Sequence, residues 1–222
     1  MNDNGSAFNA ADYDSEIGRT LPYQDEFYKQ AVDAVRHCRT GAVSWLDVGC
    51  GTGKMAQAAL GQVPLDRFVF CDSSAAMLER AKARLAFPGA SFFRADVREL
   101  PFKNEFDVVT AIQVNHYLQK EERVAALMAC HGALREGGVL ISFENFAPDG
   151  EQMERIYLER WRSYQLAQGK SHEECESHMA RYGKAYFPIP LSEHFAALRC
   201  CGFRAVEILW LSYMQVGFLA IK

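Results

Sequence analysis

A chain of 222 residues with net charge −4, 49% hydrophobic and 23% charged, has the size of one domain and buries enough surface to fold without disulfide or metal staples. The acidic balance argues against nucleic acid or any partner gripped mainly through phosphates, which calls for a basic stripe, and no apolar run reaches the ~18 residues that span a bilayer. Seven cysteines, with no CxxC pair and no basic-then-apolar leader, predict free thiols in a reducing cytoplasm.

Residues 1–12 are small and polar, and partial disorder is expected there. Over 25–38, Phe27, Ala31, Ala34, Val35 and Cys38 recur at three and four, an amphipathic helix with Gly41 as its stop. Short apolar runs then alternate with helical stretches. Strands are predicted at 44–48, 67–71, 91–94, 106–111 and 139–144, and helices at 54–60, 74–86 and 120–134, with Gly137-Gly138 punctuating the entry to the fifth strand. This rhythm implies parallel strands joined by right-handed crossovers, a doubly wound α/β sheet with helices on both faces.

The region 145–190 breaks the pattern. It is polar, charged and helix-prone over 151–168 and 171–182, and ends in Phe187-Pro188-Ile189-Pro190; it reads as a helical insertion. A helix over 192–201 starts with Ser192 as its cap and stops at Gly202. Final strands at 204–211 and 214–221 are joined too tightly to be anything but antiparallel. The whole chain, 1–222, reads as a single domain, and no repeat or low-complexity segment is evident.

The most informative stretch is Leu46-Asp47-Val48-Gly49-Cys50-Gly51-Thr52-Gly53-Lys54, which leaves a strand and enters a helix. Glycines let backbone amides approach a ligand closely, and the carboxyl end of the first strand is where doubly wound sheets bind ligands. Asp72 ends the second strand, where an acidic side chain bonds ribose hydroxyls. Asp96-Val97 ends the third, placed to accept from an adenine amino group. Asp47 sits inside an apolar strand, and a buried carboxylate needs partners, either the loop or a ligand's ammonium.

Asp47-Val48-Gly49-Cys50-Gly51-Thr52-Gly53 resembles motif I of the class I S-adenosylmethionine-dependent methyltransferases. Phe70 to Leu78, Ala95-Asp96-Val97, Phe106 to Leu118, and Leu134-Arg135-Glu136-Gly137-Gly138 resemble the later motifs in order, with Glu136 in a usual proline's place. The resemblance implies a Rossmann-like seven-stranded sheet in the order 3-2-1-4-5-7-6, strand 7 antiparallel. It implies that S-adenosylmethionine is the cofactor and S-adenosylhomocysteine the product. Gly49, Gly51 and Gly53 would cradle its methionine and ribose, with Cys50 and Ser73 beside them. Asp72 would bind the ribose hydroxyls, Asp96 and Val97 the adenine, and Ala111 the amino group through its carbonyl; Met77 would lie against the adenosine. The N-terminal helical segment 13–40 would fold over the cofactor with a tyrosine near its carboxylate, Tyr13 before Tyr23 or Tyr28. A nicotinamide cofactor fits less well, because Lys54 stands where the third glycine of G-x-G-x-x-G would fall.

Methyl transfer from a sulfonium asks the protein mainly to orient the acceptor and exclude water. His116, just beyond the fourth strand at the rim facing the donor methyl, is the candidate general base; packing on the cofactor or capping the next helix is the competing role. Gln113 is a candidate cofactor contact, and Asn115, Tyr117, Tyr157 and Trp161 are candidate substrate contacts. The insertion 145–190 would roof a small-molecule acceptor pocket. His172, Cys175 and His178 could face one way on a helix, but no fourth ligand accompanies them and no metal site is expected. The rival readings are methyl transfer to RNA or protein, for which Ala111-Ile112-Gln113-Val114 lacks an Asn-Pro-Pro-Tyr type motif, and a non-catalytic cofactor-binding protein.

Overall fold

Along Val43–Val48 (β1) every residue is buried, with Val43 and Trp45 facing one apolar cluster and Leu46 and Val48 the other. Only a central strand covered on both faces satisfies such a sequence. The computed structural model describes residues 6–85 and 87–222. The expectation for residues 1–5, and for Ala86 at the end of the predicted 74–86 helix, lies outside the described residues.

The remaining strands are Leu65–Asp72 (β2), Ala90–Arg94 (β3), Phe106–Ile112 (β4), Leu134–Asn145 (β5), Ala205–Ser212 (β6) and Gln215–Ile221 (β7). They form a seven-stranded sheet ordered β3-β2-β1-β4-β5-β7-β6. β1 pairs in parallel with β2 and β4, while β7 runs antiparallel to β5 and β6. This is the order and the antiparallel seventh strand that the motif resemblance implies. The helices are Tyr13–Thr20 (α1), Gln24–Cys38 (α2), Lys54–Ala59 (α3), Ala75–Arg84 (α4), Lys120–Ala133 (α5), Gly150–Ala167 (α6), His172–Met179 (α7) and Leu191–Cys200 (α8). Among the described residues no helix is long and apolar enough to cross a membrane.

Three local readings need correction. Ser192 is not the cap of α8: Pro190 holds that position and no side chain caps the helix, since proline's fixed φ and missing N–H suit a helix entry. Gly137-Gly138 does not precede β5 but lies inside it, where the pairing with β4 slips between Phe106 and Val108. Gly137, at φ +72°, makes the irregular step that a side chain would resist. The N-terminal helical segment expected over 13–40 is two helices and not one; α1 buries only Ile17 and Thr20 along its eight residues, too short a pattern to show as periodicity of its own.

Candidate active site

The turn after β1 is built by left-handed glycines: Gly49, Gly51 and Gly53 have φ of +61°, +53° and +85°. Asp72, at the end of β2, fastens it. One carboxylate oxygen accepts from the Gly51 N–H at 2.9 Å and the other from the Ser74 N–H at 2.8 Å, while the Ser74 hydroxyl caps α4 through the Met77 N–H. At the end of β4, Gln113 is a non-glycine residue held left-handed, at φ +60°. Its N–H donates to the Phe143 carbonyl at 2.7 Å and its amide to Gln215 Oε1 at 2.9 Å. That strained corner sets Val114 against Gly49, where an added Cβ would lie 2.3 Å from Val114 Cγ2.

These strand ends enclose a cleft of about 220 Å³. Of the expected cofactor contacts, Tyr13, Gly49, Gly51, Asp72, Ser73, Met77, Asp96, Val97 and Gln113 line it. A recess of about 20 Å³ holds Asp47 and Cys50 together with Tyr28 and Lys54. Gly53 and Ala111 line neither. Gly53 leads into α3 with its Cβ position 3.3 Å from Ala81 and Phe70, and Ala111 is enclosed within β4. Ile112, one residue on, borders both spaces.

The site is acidic. Asp47 is 2% exposed and accepts from the Thr110 hydroxyl at 2.6 Å. Burial pushes its carboxyl up to about 7, with the Asp72 charge adding and the Thr110 bond opposing. Asp96 is held below the usual carboxylate range by Arg98, whose guanidinium forks onto both oxygens at 2.8 and 2.6 Å. Burial pushes the Tyr13 and Tyr28 phenols up, so both remain neutral donors.

A second small chamber adjoins the cleft and shares Ser6, Tyr13, Gln113 and Tyr117 with it. His116 lines this chamber, not the cleft, opposite Trp161, His178 and Tyr186. It is 2% exposed, deeper than the rim position expected of it. Buried polar atoms on the chamber wall, among them Asn145 Oδ1, the Tyr186 hydroxyl and both ring nitrogens of His178, have no hydrogen-bond partner among the described residues. Trp161 donates its indole N–H to the Thr20 carbonyl at 2.6 Å and so ties α6 to α1. Burial pushes His178 down to about 3, with Lys170 and Arg181 adding, so it is neutral. Asn115 and Tyr157 line none of these spaces: Asn115 braces Glu144, and Tyr157 packs against Phe146. His172 and Cys175 do not join His178 at the chamber; His172 contacts Arg162 and Cys175 is buried.

Sequence reasoning missed Lys54, Ile112, Glu144 and Asn145, and it placed Tyr28, which borders the recess with Asp47, behind Tyr13. Glu144-Asn145 carried a signal: two polar residues closing an apolar strand, which the fold leaves only 1% and 3% exposed.

A glycine turn opening on free space at Gly51, buried acids and neutral phenols suit an adenosyl ligand carrying hydroxyls, an amino group and a cationic sulfur. A side chain at Gly51 would meet no protein atom within 4 Å, so the space beside it is free for a ligand. The comparisons bear on the same strand ends. Residues 46–138 match the family model described as a methyltransferase domain. The chain resembles, over 100% of its length and 98% of the other, a chain of the Haloferax volcanii complex between the Trm112 methyltransferase activator and a methyltransferase, with TM-score 0.70 and 17% identity. It has the class I S-adenosylmethionine-dependent methyltransferase fold. The S-adenosylmethionine-dependent methyltransferase from Mesorhizobium loti shares that fold at TM-score 0.61 and 18% identity, over 88% of this chain and 100% of the other. Among curated proteins, the carboxy-S-adenosyl-L-methionine synthase of Helicobacter hepaticus is 27% identical over 96% of this chain and 91% of its own. The synthase of Chromohalobacter salexigens is 28% identical over 82% and 68%. The class I fold and the matched domain support an enzymatic methyltransferase activity.

Proposed function

We propose that this class I methyltransferase moves the methyl group of S-adenosylmethionine to a small-molecule acceptor in the cytoplasm, the acceptor lying in the chamber between His116 and the roof formed by 145–190. The observation that carries this reading is the chamber itself. It borders the glycine-loop cleft, is walled by Tyr117, Trp161 and Tyr186, and presents buried polar atoms that have no partner among the described residues. Apolar walls with a few convergent polar groups are the mark of a small-molecule site, and a buried polar atom left unpaired is costly unless a ligand satisfies it.

S-adenosylmethionine, when bound, supplies an already activated methyl on a sulfonium. The chain's residues hold and shield it: Asp72 faces the ribose, Asp96 and Val97 the adenine, and Asp47 with Tyr13 the amino-acid end. The N-terminal segment 13–40 covers the cofactor. In the present state the chamber measures about 20 Å³, room for about one water, so entry of the acceptor displaces wall side chains.

The full-length likeness to carboxy-S-adenosyl-L-methionine synthases favours a second reading, in which the cofactor itself is the molecule modified. Mass spectrometry separates the two. Incubation with S-adenosylmethionine and a metabolite extract yields S-adenosylhomocysteine plus a methylated metabolite under the first reading, and a carboxylated nucleoside under the second. S-adenosylmethionine raises the melting temperature by mass action and NAD does not. Asp72→Ala and Gly51→Val abolish that rise; full binding by both variants would overturn the cofactor assignment.

A further inference from the structure

The carboxylate of Glu144 is 1% exposed, near the end of β5, and both of its oxygens are occupied. Oε1 accepts from the Ser142 hydroxyl at 2.6 Å, the Asn115 side-chain amide at 3.0 Å and the Asn115 N–H at 3.3 Å. Oε2 accepts from the His116 N–H at 2.9 Å and faces His116 Nδ1 at 3.2 Å. Burial pushes the Glu144 carboxyl up, but the bonds from His116 and Ser142 outweigh it and hold the group below the usual carboxylate range. An ionised carboxylate can only accept, so Nδ1 carries the hydrogen and the lone pair of a neutral ring sits on Nε2.

The turn that carries His116 is fixed from its other side. Arg123, 3% exposed, donates to the carbonyls of Asn115 at 3.2 Å, Leu118 at 3.1 Å and Phe187 at 2.5 Å. The Phe187 N–H donates to the His116 carbonyl at 2.6 Å. The other ionisable groups facing the pair are His194 from α8, held neutral by burial, which pushes it down to about 4, and the chamber residues His178, Arg181, Tyr117 and Tyr186.

We infer that Glu144 is the positioning residue of the site: it fixes the Nδ1–H form of His116 and turns Nε2 toward the chamber, so that the acceptor is one that surrenders a proton as it is methylated. The class is a hydroxyl or an acidic N–H, as opposed to a thioether or a tertiary amine. A lone pair of the acceptor forms the bond to the methyl carbon while the sulfur–methyl bond breaks and its electrons go to sulfur. The acceptor's proton passes to Nε2, and the imidazolium so formed lies against the Glu144 carboxylate, which compensates its charge without taking the proton. Such a base would be idle with an acceptor that has no proton to give.

The inference rests on the reading of His116 as a residue at the reacting groups, and one set of spectra tests the two separately. Nitrogen-15 histidine spectra of the full chain at about pH 8.5, where ordinary imidazoles are neutral, report which ring nitrogen is protonated. His116→Gln identifies the signals. The native protein shows Nδ1 protonated and Nε2 bare, Glu144→Gln shows a mixture of both forms, and Glu144→Asp returns largely to the native form. An Nε2–H ring in the native protein, or an unchanged pattern in Glu144→Gln, overturns the role of Glu144. Should Glu144→Gln fail to fold, the native spectrum and Glu144→Asp decide. Adding S-adenosylmethionine shifts the His116 signals if the ring faces the donor; signals that stay fixed while Asp72-dependent binding is intact overturn the reading of His116 and the use of the pair with it.

Discussion

The Thr52 hydroxyl donates to Asp14 Oδ1 at 2.7 Å, so the glycine turn and the N-terminal helix that lies beside it are held by one bond. Arg84 of α4 pairs with the same carboxylate, and Lys54 lies 3.8 Å from it. Asp14 thus gathers three elements around the mouth of the cleft, with Tyr13, its chain neighbour, lining the interior.

Asp14→Ala is expected to leave the sheet intact and loosen α1. The carboxylate is about one-quarter exposed, so its pairs are worth less than buried ones, yet all of them are lost together. Weakening of S-adenosylmethionine binding by roughly tenfold, equal to about 1.4 kcal/mol, is the expected result by calorimetry, with faster amide exchange over 13–20. Unchanged affinity and exchange would show that the helix is held by its apolar contacts alone.

Asp47 predicts a pH dependence with a definite sign. Its folded carboxyl, pushed up to about 7, binds a proton that the unfolded chain releases near pH ~4. Its contribution to stability is therefore present at low pH and is lost as pH rises through that window. A ligand ammonium beside it favours the ionised form. Cofactor binding should tighten as pH rises toward 7 and release a proton below it, measurable by calorimetry in buffers of different ionisation enthalpy. Asp47→Asn should flatten both trends.

Gly49→Ala faces two obstacles at once. An alanine in the left-handed conformation costs about 1–2 kcal/mol, and its Cβ would overlap Val114 Cγ2 at 2.3 Å. The melting temperature should fall by about 2–4 °C for each kcal/mol lost, and S-adenosylmethionine should no longer raise it. Pairing Gly49→Ala with Val114→Ala should recover part of the stability and little of the binding, because the backbone strain remains.

Trp161→Phe keeps an apolar ring but removes the donor that meets the Thr20 carbonyl. Thr20 is 0% exposed, so a lost partner costs about 1–3 kcal/mol. Urea denaturation should show that loss, and limited proteolysis should cut more readily between α1 and α2.

Much of the fold was open to reading from residues alone. The strands announce themselves because a central parallel strand is apolar on both faces, and the tight link at Ser212-Tyr213 forces the last two to be antiparallel. The strand order came from the motif resemblance; spacing alone does not contain it. The glycine turn with Asp72, Asp96 and Val97 was legible because each ends a strand or follows one within a few residues, and strand ends converge in a doubly wound sheet. What stayed hidden depends on contacts between distant residues. Glu144 meets His116 across 28 positions, and Lys54 enters the recess only because α1 and α2 lie over it. Asp96 is read easily as an adenine contact, but its fork with Arg98 is a matter of side-chain rotamers. Ser192 misled because a good capping residue followed a proline that already occupied the entry.

The segment between β5 and α8 leaves and rejoins the sheet at one place. Phe146 bridges Ile189, and the Ala147 N–H donates to the Ile189 carbonyl at 2.9 Å, so the chain departs and returns almost side by side. Closing a loop of any length between two such fixed posts changes the entropy only slowly with its length. Exchanging residues 148–188 for a segment of another size would therefore cost little in loop closure, but the replacement would have to supply again the indole bond to the Thr20 carbonyl and the Phe187 bond to the His116 carbonyl that tie this segment to α1 and to the turn after β4.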